Sequence, residues 1–431
     1  MTRDLSQTYM LPSAATIHRV TLRNGITILV YPTPHTRSVV VNGSLMAGAM
    51  FEDQQQQGGL ASLVAAALMR GTINYDFDTL YGALEDIGAD LTISAGMHRV
   101  GFSGKALAED LPTLIGMVAE VLRRPTFPTD QVERLRGERL TALNYLRQDT
   151  AWLAGRAFRQ MLYPEAHPYH YSTRGSLDSV PGLSINDMQD FHQQFYGPRG
   201  LIVGIAGNVT LEDAANLVAD LLGDWENIDQ PVQPSLPAVS KPLQTEHRMI
   251  TIPGKTQADI IIGTLGPSRF AADYQAANLG NSILGVFGMM GRIGDVVRER
   301  EGLAYYAGSR VDGGYGPGAW RISAGVDPAN AQRAIDLCLD EIRRFINKPV
   351  DEEELDDNRS YFVGRLPLQL ESNDGIAAVL HSIEAYRLGL DYLVNYRDMI
   401  NNITAEDIQR AARHYLDPDR MIISLAGPPT G

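Results

Sequence analysis

His167 and His170, in the stretch HPYH, have the spacing of a metal-ligand pair. They straddle Pro168, and no carboxylate or cysteine cluster with ligand spacing lies near them in sequence. They therefore read as surface or turn residues rather than as a zinc site. His381 and Glu384, in HSIEAY, lack a second histidine and read as part of a half-buried helix. The stretch GYGPGA, Gly314 to Ala319, fits G-x-G-x-x-A but leads into the strand-like WRISAGV. Pyrophosphate binding needs a helix N-terminus at that point. GKT at Gly254 to Thr256 has Met249 where a P-loop places its first glycine. No G-x-S-x-G elbow occurs, so a serine hydrolase of that type has no support. Arg298 and Tyr305, in RERE-GLAYY, carry a guanidinium fork and a phenol. Taken alone they are an ordinary arginine at a helix end and a tyrosine on a strand.

The elements that hold these residues come from a chain that repeats itself. LSINDMQDFHQQFYGPRGLIVGIAG begins at Leu183, and ITAEDIQRAARHYLDPDRMIISLAG begins at Ile403, a constant offset of 220 without a gap. Ser184 matches Thr404 as an N-cap, Pro198 matches Pro418, and Ala206-Gly207 matches Ala426-Gly427. Each copy reads as a capped helix, a proline turn and a short buried strand. A second pair of segments, from Leu111 and from Ala331, shares an amphipathic helix ending in Arg-Arg, a proline-containing loop and an acidic helix start. Copies of about 200 residues are far longer than solenoid repeats, and they imply two homologous domains. The proline-rich stretch between them, GDWENIDQPVQPSLPAVSKPLQTEH, reads as a linker. The first domain is placed at 14–228, the linker at 229–246 and the second domain at 247–431. Hairpins joined directly, with helices grouped together, predict an α+β fold. Each domain would be one mostly antiparallel sheet with helices packed on one side.

Composition narrows the function. The net charge is −14, which argues against a nucleic-acid partner because phosphate binding needs clustered Lys and Arg. No run approaches the ~18 apolar residues of a membrane span, so no membrane partner is expected. The single cysteine, Cys338, sits in a helical pattern and reads as a small buried hydrophobe. A cytoplasmic location is the simplest expectation.

The segments NGITILV, GSLMAGAMFED, GLASLVAAALMRGT, LEDIGADL, HPYH and LIVGIAGN occur in this order, followed by GRIGDVVREREGLAYYAGS. This succession resembles the pitrilysin/insulinase family of metallopeptidases over nearly the whole chain, duplication included. Active members resemble G-x-A-H-x-x-E-H-x-x-x-x-G-T at the third of these segments. Two histidines on one helical face hold zinc there, and the glutamate between them polarises water. Here Gly59, Ala61, Gly71 and Thr72 keep the frame, but Ser62 and Ala66 stand at the histidine positions and Ala65 at the glutamate. With Glu138 as the family's earlier glutamate, the third ligand falls near Tyr145, and no carboxylate lies between Arg139 and Gln148. The resemblance thus implies no metal and no cofactor in this chain, and no activity by the chain alone. In the family an Arg–Tyr pair faces the zinc from the opposite domain, binding substrate backbone and stabilising the oxyanion. Arg298 and Tyr305 match that pair. Some bacterial members work as two chains, one bearing zinc and the other the pair. The resemblance therefore implies a non-catalytic subunit of a heterodimeric zinc peptidase, with a homologous zinc-bearing partner and a peptide substrate. A structural or peptide-binding scaffold is the alternative. Further implications are that the glycines of GNSILGVFGMMGR, Gly280 to Arg292, let backbone approach the chamber, and that ADLTISAG, Ala89 to Gly96, matches the family strand whose edge pairs with extended peptides, although it departs from the family's Asn-Ala-containing version.

Overall fold

The structure, a computed structural model, describes residues 11–231 and 235–429. Residues 232–234 of the expected linker lie outside the described residues. The chain forms two sheets. The first contains β1 (His18–Thr21), β2 (Thr27–Pro32), β3 (Ser38–Leu45), β4 (Asp90–Ala95), β5 (Val100–Leu107) and β6 (Ile202–Gly207), in the order β1-β2-β6-β3-β5-β4. The second contains β7 (Glu246–Thr251), β8 (Ala258–Leu265), β9 (Ala304–Val311), β10 (Ala319–Val326) and β11 (Ile422–Gly427), in the order β7-β11-β8-β10-β9. Only β2–β6 and β7–β11 pair in parallel; all other neighbours are antiparallel. The architecture is the α+β pair of sheets expected from the sequence.

The duplication is visible element by element. β6 and β11 occupy the same place in their sheets, each between a parallel and an antiparallel neighbour. The helices before them, Ile185–Phe195 and Ala405–Tyr415, open with matching capping boxes. Ser184 and Asp187 exchange bonds in one, Thr404 and Asp407 in the other, each satisfying backbone N–H groups left over at a helix start. The β1–β2 hairpin turns at Asn24-Gly25, where Gly25 has φ of 94° that a residue with Cβ resists. Cys338 is buried in the Ala331–Asn347 helix, and burial pushes its thiol up to about 12.

The helices of each half pack on one face of its own sheet and form two separate cores. The other face of each sheet is covered by a helix from the opposite half. The Asn373–Ala385 helix lays Ile376, Ala377, Leu380 and Ile383 on Leu29, Val40, Ile202 and Ala206 of the first sheet. In return, the Thr150–Leu162 helix lays Ala154, Phe158 and Leu162 on Ile261, Leu265, Ile422 and Ala426 of the second. This exchange explains why IVGIAG and most of IISLAG are buried along their whole length rather than alternating. The two crossings differ at matching positions. Gly204 lies so close to the first helix that a Cβ there would sit 3.0 Å from Ala377 O. At the equivalent Ser424 the hydroxyl donates to Ala154 O at 2.7 Å.

The connection between the halves is fastened to the first one. Asn227 donates to Gln193 O and Tyr196 O, while buried Gln230 exchanges bonds with Gly197 and Arg199. Among the described residues no helix is long and apolar enough to cross a membrane. Leu380 is fully buried in the exchanged contact. Leu380→Ala is expected to lower stability by about 2–5 kcal/mol, read as a shift in the urea unfolding midpoint at constant slope.

Candidate functional site

The Leu60–Ala67 helix carries the positions where zinc ligands would stand. Its start is fixed by a buried carboxyl group, Glu52. Glu52 accepts from Gly59 N at 2.9 Å and from Ala61 N at 2.6 Å, serving a helix end that has no side-chain cap of its own. Gly59 has φ of 95°, and a Cβ there would press on the backbone of Arg174 and Gly175. Burial pushes the Glu52 carboxyl up to about 8; the two backbone bonds and the Arg139 charge offset only part of that.

Further along the helix the chemistry is inert. Ser62 Oγ donates to Gly59 O at 3.0 Å and accepts from Arg139 Nη1 at 2.6 Å. Arg139 also donates to Arg174 O. Ala65 is fully buried in the core and Ala66 half-buried. Glu138 pairs with Arg134 on the surface, and Tyr145 is 77% exposed. A zinc ion does not fit these residues. The donor set offers one hydroxyl, and a guanidinium already occupies it, placing a fixed positive charge where a cation would sit. Among the described residues no three His, Cys, Asp or Glu side chains group as metal ligands.

His167 departs from its sequence reading. It does lie in a turn, as the N-cap of Pro168–His170, but it is fully buried rather than on the surface. Its Nδ1 accepts from Tyr169 N, and its ring stacks on Tyr163 with centroids 5.1 Å apart. The aromatic residues around HPYH provide an apolar cover that ligand spacing alone does not reveal. His381 matches its reading on a half-buried helix face, bonded to Ser44 Oγ.

Arg298 and Tyr305 lie on the edge side of the second sheet. Arg298 sits in a wide helical turn, Asp295–Arg300, about one-third exposed, with its Nε 3.6 Å from Glu299. Tyr305 is the second residue of edge strand β9 and is 65% exposed. Bonds from Gly302 N to Arg298 O and from Leu303 N to Val297 O fix the turn joining them. The glycines before them serve packing and turning. A Cβ on Gly285 would meet Ser309 N of β9 at 2.2 Å, and Gly288 and Gly291 supply positive φ. β4, the strand of ADLTISAG, forms the corresponding edge of the first sheet.

Neither Arg298 nor Tyr305 lines the large cavity of this chain. That cavity, of about 1140 Å³, lies between the halves, walled by β3 to β5, the Thr150–Leu162 helix and the β9–β10 loop. Arg99, Arg159, Arg174, Arg310 and Arg321 reach it with one carboxylate, Asp312. Burial holds the imidazoles of His98 and His381 down to about 4, so both are neutral at pH 7. These residues, scattered from position 42 to 386, carry no common motif in sequence, and only the crossing helices bring them together.

With this geometry in view, comparison with known proteins is direct. The insulinase (peptidase family M16) model matches residues 28–159, and the peptidase M16 inactive domain model matches residues 182–361. The chain belongs to the insulinase family of M16 peptidases. It is 24% identical over 422 residues to an uncharacterized zinc protease of Streptomyces coelicolor, covering 96% of this chain and 90% of that one. A peptidase M16 inactive domain from Pseudomonas fluorescens superposes with a TM-score of 0.89 at 24% identity, over 96% of this chain and 98% of the other. Subunit 1 of the mitochondrial cytochrome b-c1 complex of Rattus norvegicus is 23% identical over 269 residues, 61% of this chain and 54% of its own.

The Glu52 environment has a pH consequence. Its folded pKa lies above the ordinary value of 4.5, so between 4.5 and about 8 the folded state holds a proton that the unfolded state releases. Stability from this group is highest below 4.5 and declines as pH rises towards 8. Urea unfolding from pH 4.5 to 8 should therefore show Glu52→Gln gaining stability relative to the native chain as pH rises. A constant difference between the two would refute the assignment.

Proposed function

We propose that this chain is the non-catalytic subunit of a heterodimeric zinc peptidase acting in the cytoplasm. A homologous partner holds the zinc and the general base. Arg298 and Tyr305 of this chain complete the partner's site, binding the peptide backbone and donating to the oxyanion that forms when the peptide carbonyl is attacked. The observation that carries this reading is a contrast between the halves. In the first, the Leu60–Ala67 helix is closed off by Arg139 on Ser62 and by buried Ala65. In the second, the exposed Tyr305 phenol stands on an edge strand and the Arg298 guanidinium, one-third exposed, in the turn before it, both outside the chain's own cavity. Exposed donors at an edge suit a surface completed by another molecule. A fixed fork and a phenol O–H aimed at developing charge lower a barrier without reorganising.

The likeness to a subunit of the cytochrome b-c1 complex favours a second reading, a structural or peptide-binding scaffold with no protease partner. Copurification from the source cell separates the two: a companion chain with an intact H-x-x-E-H helix supports the peptidase, and its absence supports the scaffold.

Peptide hydrolysis is expected only when this chain is mixed with the zinc-bearing partner. In the mixture, Arg298→Ala or Tyr305→Phe should lower kcat by about 100-fold or more, the scale of losing one oxyanion donor. Full activity in both variants would remove these residues from the mechanism.

A further inference from the structure

The cavity between the halves is built around positive charge in a protein whose net charge is −14. Its arginines are not equally engaged. Arg99 is fully occupied, donating to Ser44 Oγ, Ser44 O, Gly200 O and Tyr315 OH. Asp312 accepts from Arg310 Nε and Arg321 Nε, both at 2.8 Å. Arg321 also donates through Nη1 to Ser323. The only carboxylate in the wall is therefore already shared by two guanidinium groups. The Arg159 guanidinium has neither hydrogen bond nor ion pair among the described residues, although the residue is half-buried.

The position of Arg159 follows from its helix. Ala154, Phe158 and Leu162 point at the second sheet, and Arg159, one step past Phe158, turns out of that stripe towards the cavity. Its surroundings do not suit an isolated cation. Burial and the charges of Arg321 and Arg156 act to lower its pKa, and Asp312 and Tyr163 only partly compensate. A half-buried guanidinium facing another and lacking an acceptor calls for an anion from outside.

We propose that this cavity binds the C-terminal carboxylate of a short peptide, held by the Arg159 fork beside Arg321. The planar fork matches a carboxylate in two parallel bonds. The space exceeds what a small organic acid fills; ligand pockets run to about 1,000 Å³ for drug-sized molecules. The walls suit a chain behind the carboxylate, with Trp152 offering apolar surface and Thr92 and Ser94 offering hydroxyls. With His98 and His381 neutral, the remaining wall would repel an ammonium group, which sets the direction of entry.

The test uses the full chain alone, without any peptidase partner, so its outcome is separate from that of the heterodimer reading. Calorimetric titration compares N-acetyl tetra-alanine with a free C-terminus and the same peptide as its C-terminal amide. The acid is expected to bind, and the amide at least tenfold more weakly. Arg159→Gln should erase that preference, Arg159→Lys should keep part of it, and the unliganded melting temperature of Arg159→Gln should not fall, since a repulsive contact is relieved. Equal binding of acid and amide, no binding of either, or an undiminished preference in Arg159→Gln would overturn the proposal. Stronger binding of inorganic phosphate than of the peptide acid would also overturn it, by assigning the fork to a different anion. If Arg159→Gln fails to fold, the acid–amide comparison on the native chain still decides.

Discussion

The exchange of helices between the two halves is the constraint on which the rest of the molecule depends. Each sheet has apolar side chains on both faces, and its own helices cover only one. The second face would be costly to leave in water. The Thr150–Leu162 and Asn373–Ala385 helices remove that cost reciprocally, so neither half is complete without the other. This arrangement also fixes the angle between the sheets, opens the cavity between them, and carries Arg159 and His381 into its wall. Arg19 adds a two-pronged ion pair to Glu384 across the same boundary, though at its exposure such a pair contributes under about 1 kcal/mol.

The Leu60–Ala67 helix is a packing element. The glycine that admits Glu52 to the helix start remains, as does the close approach of the Arg174–Gly175 backbone. At the positions between, alanines fill the core and a serine is tied to Arg139. In the second half Tyr305 is exposed and Arg298 partly so, and the two halves present different surfaces although they share one topology.

Much of this was legible in the sequence, and the reasons are local. Ser184 and Thr404 with their partners three residues on announced helix starts, because a capping box is written in adjacent residues. Asn24-Gly25 announced a hairpin for the same kind of reason. The offset of 220 between Leu183 and Ile403 announced the duplication. The unbroken apolar run of IVGIAG carried a further signal, since a strand buried on both faces needs two covering layers. What it could not supply was which helix provides the second layer, because that helix lies more than 150 residues away in sequence. His167 was misplaced for a related reason: its burial comes from Tyr163 and Tyr169 folding around it, not from its spacing to His170. The cavity arginines were invisible for the same cause, each being an ordinary charged residue until the halves meet.

The contrast between Gly204 and Ser424 reaches beyond local packing. These residues hold the same station in two copies of one design, yet one leaves room for a helix backbone and the other bonds to it. Descent from a doubled half-chain need not preserve interchangeability, and here it has not. A serine transplanted to the first station would press against the Ala377 carbonyl, and a glycine at the second would abandon the Ala154 carbonyl. The two copies have become counterparts, each station shaped to the helix that crosses it.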